Sequence, residues 1–246
     1  TFATEAGFDT AWFALARAEV ALRRGRFIEA ETSAEAAALQ EPELAYRALS
    51  VAGRAAHLAS REEEALDLYR RAEACARTAV EERDSIGGQL LSLIDLESSD
   101  AAEILRQLSS TIVRSNPSDV VRCAGLRLQY QFRFGDLDLA EADRAYELLE
   151  GVRDPLNRAA FECHYACALG LAARYDEALT VAESAIETIR RFRLDFAIPY
   201  ALCPAATAAA GRRQWTTANA LVEEALRSAR SARNAYAEHI CVATTI

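Results

Sequence analysis

Apolar positions along this chain return at the three- and four-residue spacing of a helix face, and short polar, glycine- or proline-containing intervals interrupt them. The pattern predicts thirteen helices, over 9–23, 27–39, 43–58, 62–79, 82–95, 99–112, 118–133, 137–149, 155–171, 175–191, 197–211, 215–230 and an incomplete one from 233. No stretch alternates as a half-buried strand would. Gly25 and Gly135 fall at turns between paired helices, where a C-terminal glycine belongs. Pro42, Pro117, Pro155 and Pro199 fall at the entrance to the first helix of the next pair. "SNPSDVV" and "RDPLNRA" add Ser, Asn and Asp as capping residues.

The helices come as repeats. "GRFIEAETSAEAA" from Gly25 returns as "ARYDEALTVAESA" from Ala173 and, more loosely, as "SREEEALDLYRRA" from Ser60. The alanine after each turn is an anchor: Ala30, Ala65, Ala101, Ala140, Ala178 and Ala218, at intervals of 35 to 40 residues. Three positions before it stand Phe27, Glu62, Ser98, Leu137, Tyr175 and Trp215, expected to plug the turn where they are bulky. Seven positions after it stand Ala37, Ala72, Leu108, Glu147, Ala185 and Ala225; twelve before it stand Ala18, Gly53, Gln89, Leu128, Ala166 and Ala206. Small residues at matched places on two antiparallel helices let the helices approach closely. Each pair leaves an apolar side that only the next pair can cover.

This spacing resembles the tetratricopeptide repeat (TPR), best in "LSVAGRAAHLASREEEALDLYRRA" (Leu49 to Ala72) and "ALGLAARYDEALTVAESAI" (Ala168 to Ile186). The repeats anchored at Ala101 and Ala140 match least, the latter with Gln131 and Arg144 where small or apolar residues are usual. The resemblance implies an all-α, right-handed α-solenoid of about six helix pairs, residues 1–246 forming one TPR-like superhelical domain. Drawn-out, Ala- and Arg-rich repeats also resemble the sensor segment of large LuxR-type bacterial regulators related to the maltose activator. In that group an ATPase module precedes the repeats and a helix-turn-helix follows them. The closing "AEHICVATTI" reads as an unfinished helix, so a piece of a longer chain is expected.

Charge narrows the function classes. The net charge is −9, and an acidic segment is a poor reader of a polyanion, so no direct nucleic-acid contact is expected; DNA binding would fall to a domain outside this segment. All 28 basic residues are arginine, and the absence of lysine removes a P-loop and any Schiff-base chemistry. The start shows no signal-peptide pattern, and "AIPYALCPAATAAAG" from Ala197 is too short to span a bilayer, so a cytoplasmic protein without membrane contact is expected. Pro204 should bend its helix or delay its start, the late start being favoured.

Candidate chemistry is sparse. Cys163, His164 and Cys167 in "CHYAC" invite a metal reading, and Cys163 and Cys167, four apart, share a helix face, but no second Cys/His pair is visible, so no metal and no cofactor are expected. The six cysteines are expected reduced and within apolar helices. His57 and His239 stand isolated in the sequence, and carboxylate runs such as "REEEALD" read as solvated faces, so no catalytic residue is assigned. The resemblance implies that first helices line a concave groove. That places Arg47, Ser50, Arg54 and His57 there from the second repeat, and Arg122, Gln129, Phe132 and Arg133 from the fourth. Cys163 and Cys167 follow from the fifth, then Tyr200, Cys203 and Thr207 from the sixth. The arginines could form a cationic patch for a carboxylate, a phosphate or an acidic peptide. The competing reading is exposed arginines paired with nearby glutamates. The expected function is non-catalytic binding of a protein, peptide or small effector, as the sensor segment of a LuxR-like regulator; the alternative is a stand-alone scaffold for a peptide or partner protein.

Overall fold

The computed structural model describes residues 10–232 and 234–244, and among these it contains helices and no strand. The thirteen α-helices are α1 Ala11–Arg23, α2 Phe27–Gln40, α3 Ala45–Leu58, α4 Glu62–Ala74, α5 Ala79–Asp95, α6 Ala101–Thr111, α7 Pro117–Phe134, α8 Ala140–Tyr146, α9 Pro155–Leu171, α10 Tyr175–Arg191, α11 Ile198–Gly211, α12 Trp215–Ser231 and α13 Ala235–Ala243. The expected starts at 9 and 233 lie outside the described residues. The chain forms two compact units, Thr1–Thr111 and Ile112–Ile246.

In the first unit α1 packs on α2, α3 on α4 and α5 on α6, and the first helices also touch in the order α1, α3, α5. The core that joins them is mostly alanine: Ala18, Ala34, Ala52, Ala56, Ala65 and Ala72 surround Leu49, Leu68 and Tyr69. Methyl side chains set the helix separation, and the Tyr69 ring fills the gap between successive first helices. A β-carbon placed on Gly53 would stand 3.1 Å from that ring, and one on Gly88 would stand 2.3 Å from it. The position expected to be small in the third repeat holds Gln89 instead. It is buried, and its Nε2 donates to Glu73 Oε2 of α4 at 2.6 Å, which satisfies the amide.

The second unit repeats the scheme with α9 on α10 and α11 on α12, while the first helices touch in the order α7, α9, α11, α13. Ala166 faces its pair at full burial, as do Ala185, Ala206 and Ala225. Tyr175 leans on the end of the next first helix, where a β-carbon on Gly211 would approach its ring to 2.3 Å. The equivalent Trp215 is exposed.

One turn recurs between paired helices. Arg26 N–H donates to Ala21 O at 2.9 Å, Arg61 to Ala56 at 3.0 Å, Arg174 to Leu169 at 2.9 Å and Gln214 to Ala209 at 2.9 Å. These six-to-one bonds need the preceding residue in the left-handed region. Gly25 (φ 70°), Ser60 (57°), Ala173 (59°) and Arg213 (62°) all stand there, five residues before their anchors.

Four expectations change. The helix expected over 62–79 stops at Ala74, because Thr78 caps the next one: its hydroxyl accepts from Glu81 N–H, and the Glu81 carboxylate accepts from Thr78 N–H. The helix expected over 137–149 is cut to Ala140–Tyr146, followed by a 3-10 turn at Leu149–Gly151. There the anchor Ala140 is exposed, and Ala142 and Ala145 are buried in its place. The register shifts because α7 runs on to Phe134 and ends in a wide turn at Gly135 (φ 92°) and Asp136 (φ 64°); Gln131 Oε1 accepts from Asp138 N–H across it. Finally, α11 starts at Ile198 and continues through Pro204, so that proline does not mark a late start. Asn116 and Asp154 cap α7 and α9 as expected, accepting from Ser118 and Leu156 N–H.

Candidate functional site

The residues assigned to the groove fall in both units. In the first, Arg47, Arg54 and His57 share one face of α3. Arg47 is exposed, and its Nε and Nη2 donate to Glu19 Oε1 of α1 at 2.8 and 2.6 Å. That is the glutamate pairing the competing reading named, and at the surface such a pair adds little stability. Arg54 is also exposed, one helical turn from His57.

His57 is not isolated. It sits at the end of α3, and the left-handed turn at Ser60 brings Glu62, the first residue of α4, back beside it. His57 Nδ1 lies 2.9 Å from Glu62 Oε2 and 3.8 Å from Asp95 Oδ2, at the end of α5. Burial works against charge on the ring and Arg54 opposes it too. The Glu62 hydrogen bond and the Glu62 and Asp95 charges outweigh both and raise the imidazole above its ordinary pKa. Sequence spacing could suggest the His57–Glu62 contact, five residues apart across one turn. Asp95 could come only from the fold.

In the second unit, Arg122 is half-buried and Arg133 exposed on α7. The Gln129 Nε2 and His164 Nε2 atoms are 2.6 Å apart, joining α7 to α9. Tyr200 Oη accepts from Asn234 Nδ2 at 3.1 Å, and its ring lies 6.3 Å from that of Tyr236. Cys163 and Cys203 are buried, so the thiols belong to the core rather than to a surface. Burial pushes the Cys163 thiol well up, and those of Cys167 and Cys241 up to about 12. All six cysteines are free thiols, with Cys203 and Cys241 Sγ 3.6 Å apart.

Two features carry no sequence signal. A groove of about 600 Å³ opens along α10, α11 and α12, floored by Ile186, Leu202 and Leu221 and edged by Glu187, Arg190 and Glu224. Arg190 Nη2 donates to Glu224 Oε1 across it at 2.9 Å. Beside it, Glu162 of α9 is fully buried, with Oε1 accepting from Ser184 Oγ at 2.7 Å and from Arg158 Nε at 3.4 Å. Its Oε2 has no partner, and burial raises its pKa against those two bonds.

No described helix is long and apolar enough to cross a membrane. No family model matches the sequence, and no curated protein matches it either. Among solved structures, the chain is similar to a Signal Transduction ATPase with Numerous Domains (STAND) protein with a tetratricopeptide repeat sensor from Pyrococcus horikoshii. The TM-score is 0.63 at 14% identity, covering 98% of this chain. The chain spans 38% of the length of that protein. The fold is that of a TPR-like helical repeat.

Proposed function

We propose that this chain is a non-catalytic sensing and binding module, the sensor segment of a cytoplasmic LuxR-like transcriptional regulator. Its effector is a protein, a peptide or a small anionic molecule held on the first-helix faces. The observation that carries the reading is the stack of TPR-like hairpins, shared with a protein whose repeats are described as a sensor. Within each unit such a stack presents a row of side chains on packed helices joined by main-chain turns. Arg47 and Arg54, seven residues apart on α3, are the binding pair in the first unit. Arg122, Gln129, Arg133 and Tyr200 are the candidates on the second unit, taken by itself. An anionic group would take Arg47 from Glu19, an exchange of one carboxylate for another. The acidic balance of the chain keeps it off DNA itself, so DNA contact belongs to another domain of the regulator.

Signalling then requires that the effector bind one assembly state more tightly than the other. The test is binding of anionic peptides and sugars to the wild type and to the Arg47→Ala, Arg54→Ala double variant. The double variant should lose affinity by about tenfold or more, the scale of two charge-assisted bonds. Unchanged affinity for every ligand found would discard the arginine pair. The parent reading frame separates the two roles: a P-loop upstream and a helix-turn-helix downstream support the regulator, and their absence supports a peptide-binding scaffold.

A further inference from the structure

We propose that His57, Glu62 and Asp95 form a binding site for one divalent transition-metal ion, with zinc as the reference ion. The ends of three different helices supply the three donors. The turn at Ser60 fixes His57 against Glu62, and α5 brings Asp95 to the same point. All three ligand atoms lie within 4.8 Å of one another, and His57 Nδ1 is 2.9 and 3.8 Å from the two carboxylate oxygens. Metal–ligand bonds of about 2.0–2.2 Å put neighbouring donors about 3–3.6 Å apart in tetrahedral or octahedral geometry. The observed spacing brackets that range, so a rotamer adjustment closes the set around an ion.

The surroundings suit a bound ion that keeps solvent. The side chains of His57 and Glu62 are 16% and 13% exposed, and that of Asp95 is 27% exposed. The donors are thus held in place by packing, while the Asp95 side stays open for water or for an oxygen of a bound effector. Two carboxylates and a neutral imidazole carry two negative charges, matching a divalent cation, and Arg54 is a nearby positive group that the ion must tolerate. One imidazole nitrogen and two carboxylate oxygens suit zinc, manganese or ferrous iron, and they disfavour the soft cuprous ion. Among the described residues, this trio is the group in which three such donors converge.

The experiment is titration of reduced, chelator-treated protein with zinc against a chromophoric indicator, and with cobalt under absorption spectroscopy. The expected result is one ion per chain with a Kd on the order of 1 µM or tighter. Cobalt should show weak ligand-field bands and no thiolate charge-transfer band, which separates this site from the six cysteines. His57→Gln and Asp95→Asn should each weaken binding by about tenfold or more, with the circular dichroism spectrum retained. Only three histidines are present. Ring 15N shifts in the wild type therefore report coordination at His57 Nδ1 even if one variant fails to fold. No zinc bound at about 100 µM, a thiolate band with cobalt, or a His57 ring unmoved by zinc overturns the proposal. So does wild-type affinity in both variants.

Discussion

The Tyr69 ring occupies the space a side chain on Gly88 would need: a β-carbon there would stand 2.3 Å from Tyr69 Cδ1. Tyr69 belongs to the second helix of one pair and Gly88 to the first helix of the next, so this contact sets the spacing of successive hairpins. Gly88→Ala gains helix propensity and loses that fit. The loss dominates, because the colliding atoms belong to a rigid ring held between two helices. The variant should be destabilised by about 1–3 kcal/mol in urea unfolding. In a Tyr69→Leu background the same change should cost about 1 kcal/mol less, a coupling that a double-mutant cycle reads directly. A Gly88→Ala variant as stable as wild type would mean that the ring moves aside freely.

Ala173 pays for a left-handed backbone that its repeat requires. At φ 59° an L-residue is strained by about 1–2 kcal/mol, and a glycine is not. Glycine costs about 0.4–1 kcal/mol in unfolded-chain entropy. Ala173→Gly should therefore stabilise by about 0.5–1 kcal/mol. Gly25→Ala, at φ 70°, should destabilise by a similar amount. Thermal unfolding of the two variants checks the pair of opposite signs; a lower midpoint for Ala173→Gly contradicts the turn geometry.

Glu162 gives the second unit a pH signature. Its folded pKa is raised, chiefly by burial. The stability it contributes is fully present below the ordinary glutamate pKa and is lost as pH rises through the raised value. Urea midpoints should fall with pH in the window just above the ordinary carboxylate range. Glu162→Gln stays neutral throughout and should flatten that slope. An unchanged slope in the variant would assign the effect to other groups.

Thiol reactivity should rank by burial. Cys75 and Cys167 are half-buried, while Cys123, Cys163, Cys203 and Cys241 are buried. Burial also holds the Cys167 thiol up at about 12, which suppresses its nucleophilic thiolate. A disulfide reagent at neutral pH should label Cys75 first and the buried four only on unfolding. Fast labelling of Cys203 or Cys241 in the native protein would place α13 away from α11.

Much of the fold is legible in the sequence because a helix-pair repeat writes itself locally. Ala30, Ala65, Ala101, Ala178 and Ala218 are all buried, as their common position requires. Asn116, Asp154 and Pro155 mark helix starts through chemistry confined to one turn. Ala140 misled because its wide turn depends on Gly135, Asp136 and the Gln131 side chain acting together, and no fixed spacing registers that. The His57 cluster was half visible: Glu62 is near in sequence, whereas Asp95 arrives only when α5 packs on α4. Glu162 was invisible, since nothing in "FECHYAC" says that its carboxylate turns inward.

The left-handed turn has a further consequence for how such chains diverge. Glycine, serine, alanine and arginine all serve at that corner, because hydrogen bonds between peptide groups define it rather than side chains. Substitutions can therefore accumulate there at a modest energetic charge while the hairpin keeps its form. Architecture outlives spelling under such conditions, and this chain shares its fold with a protein to which it is 14% identical.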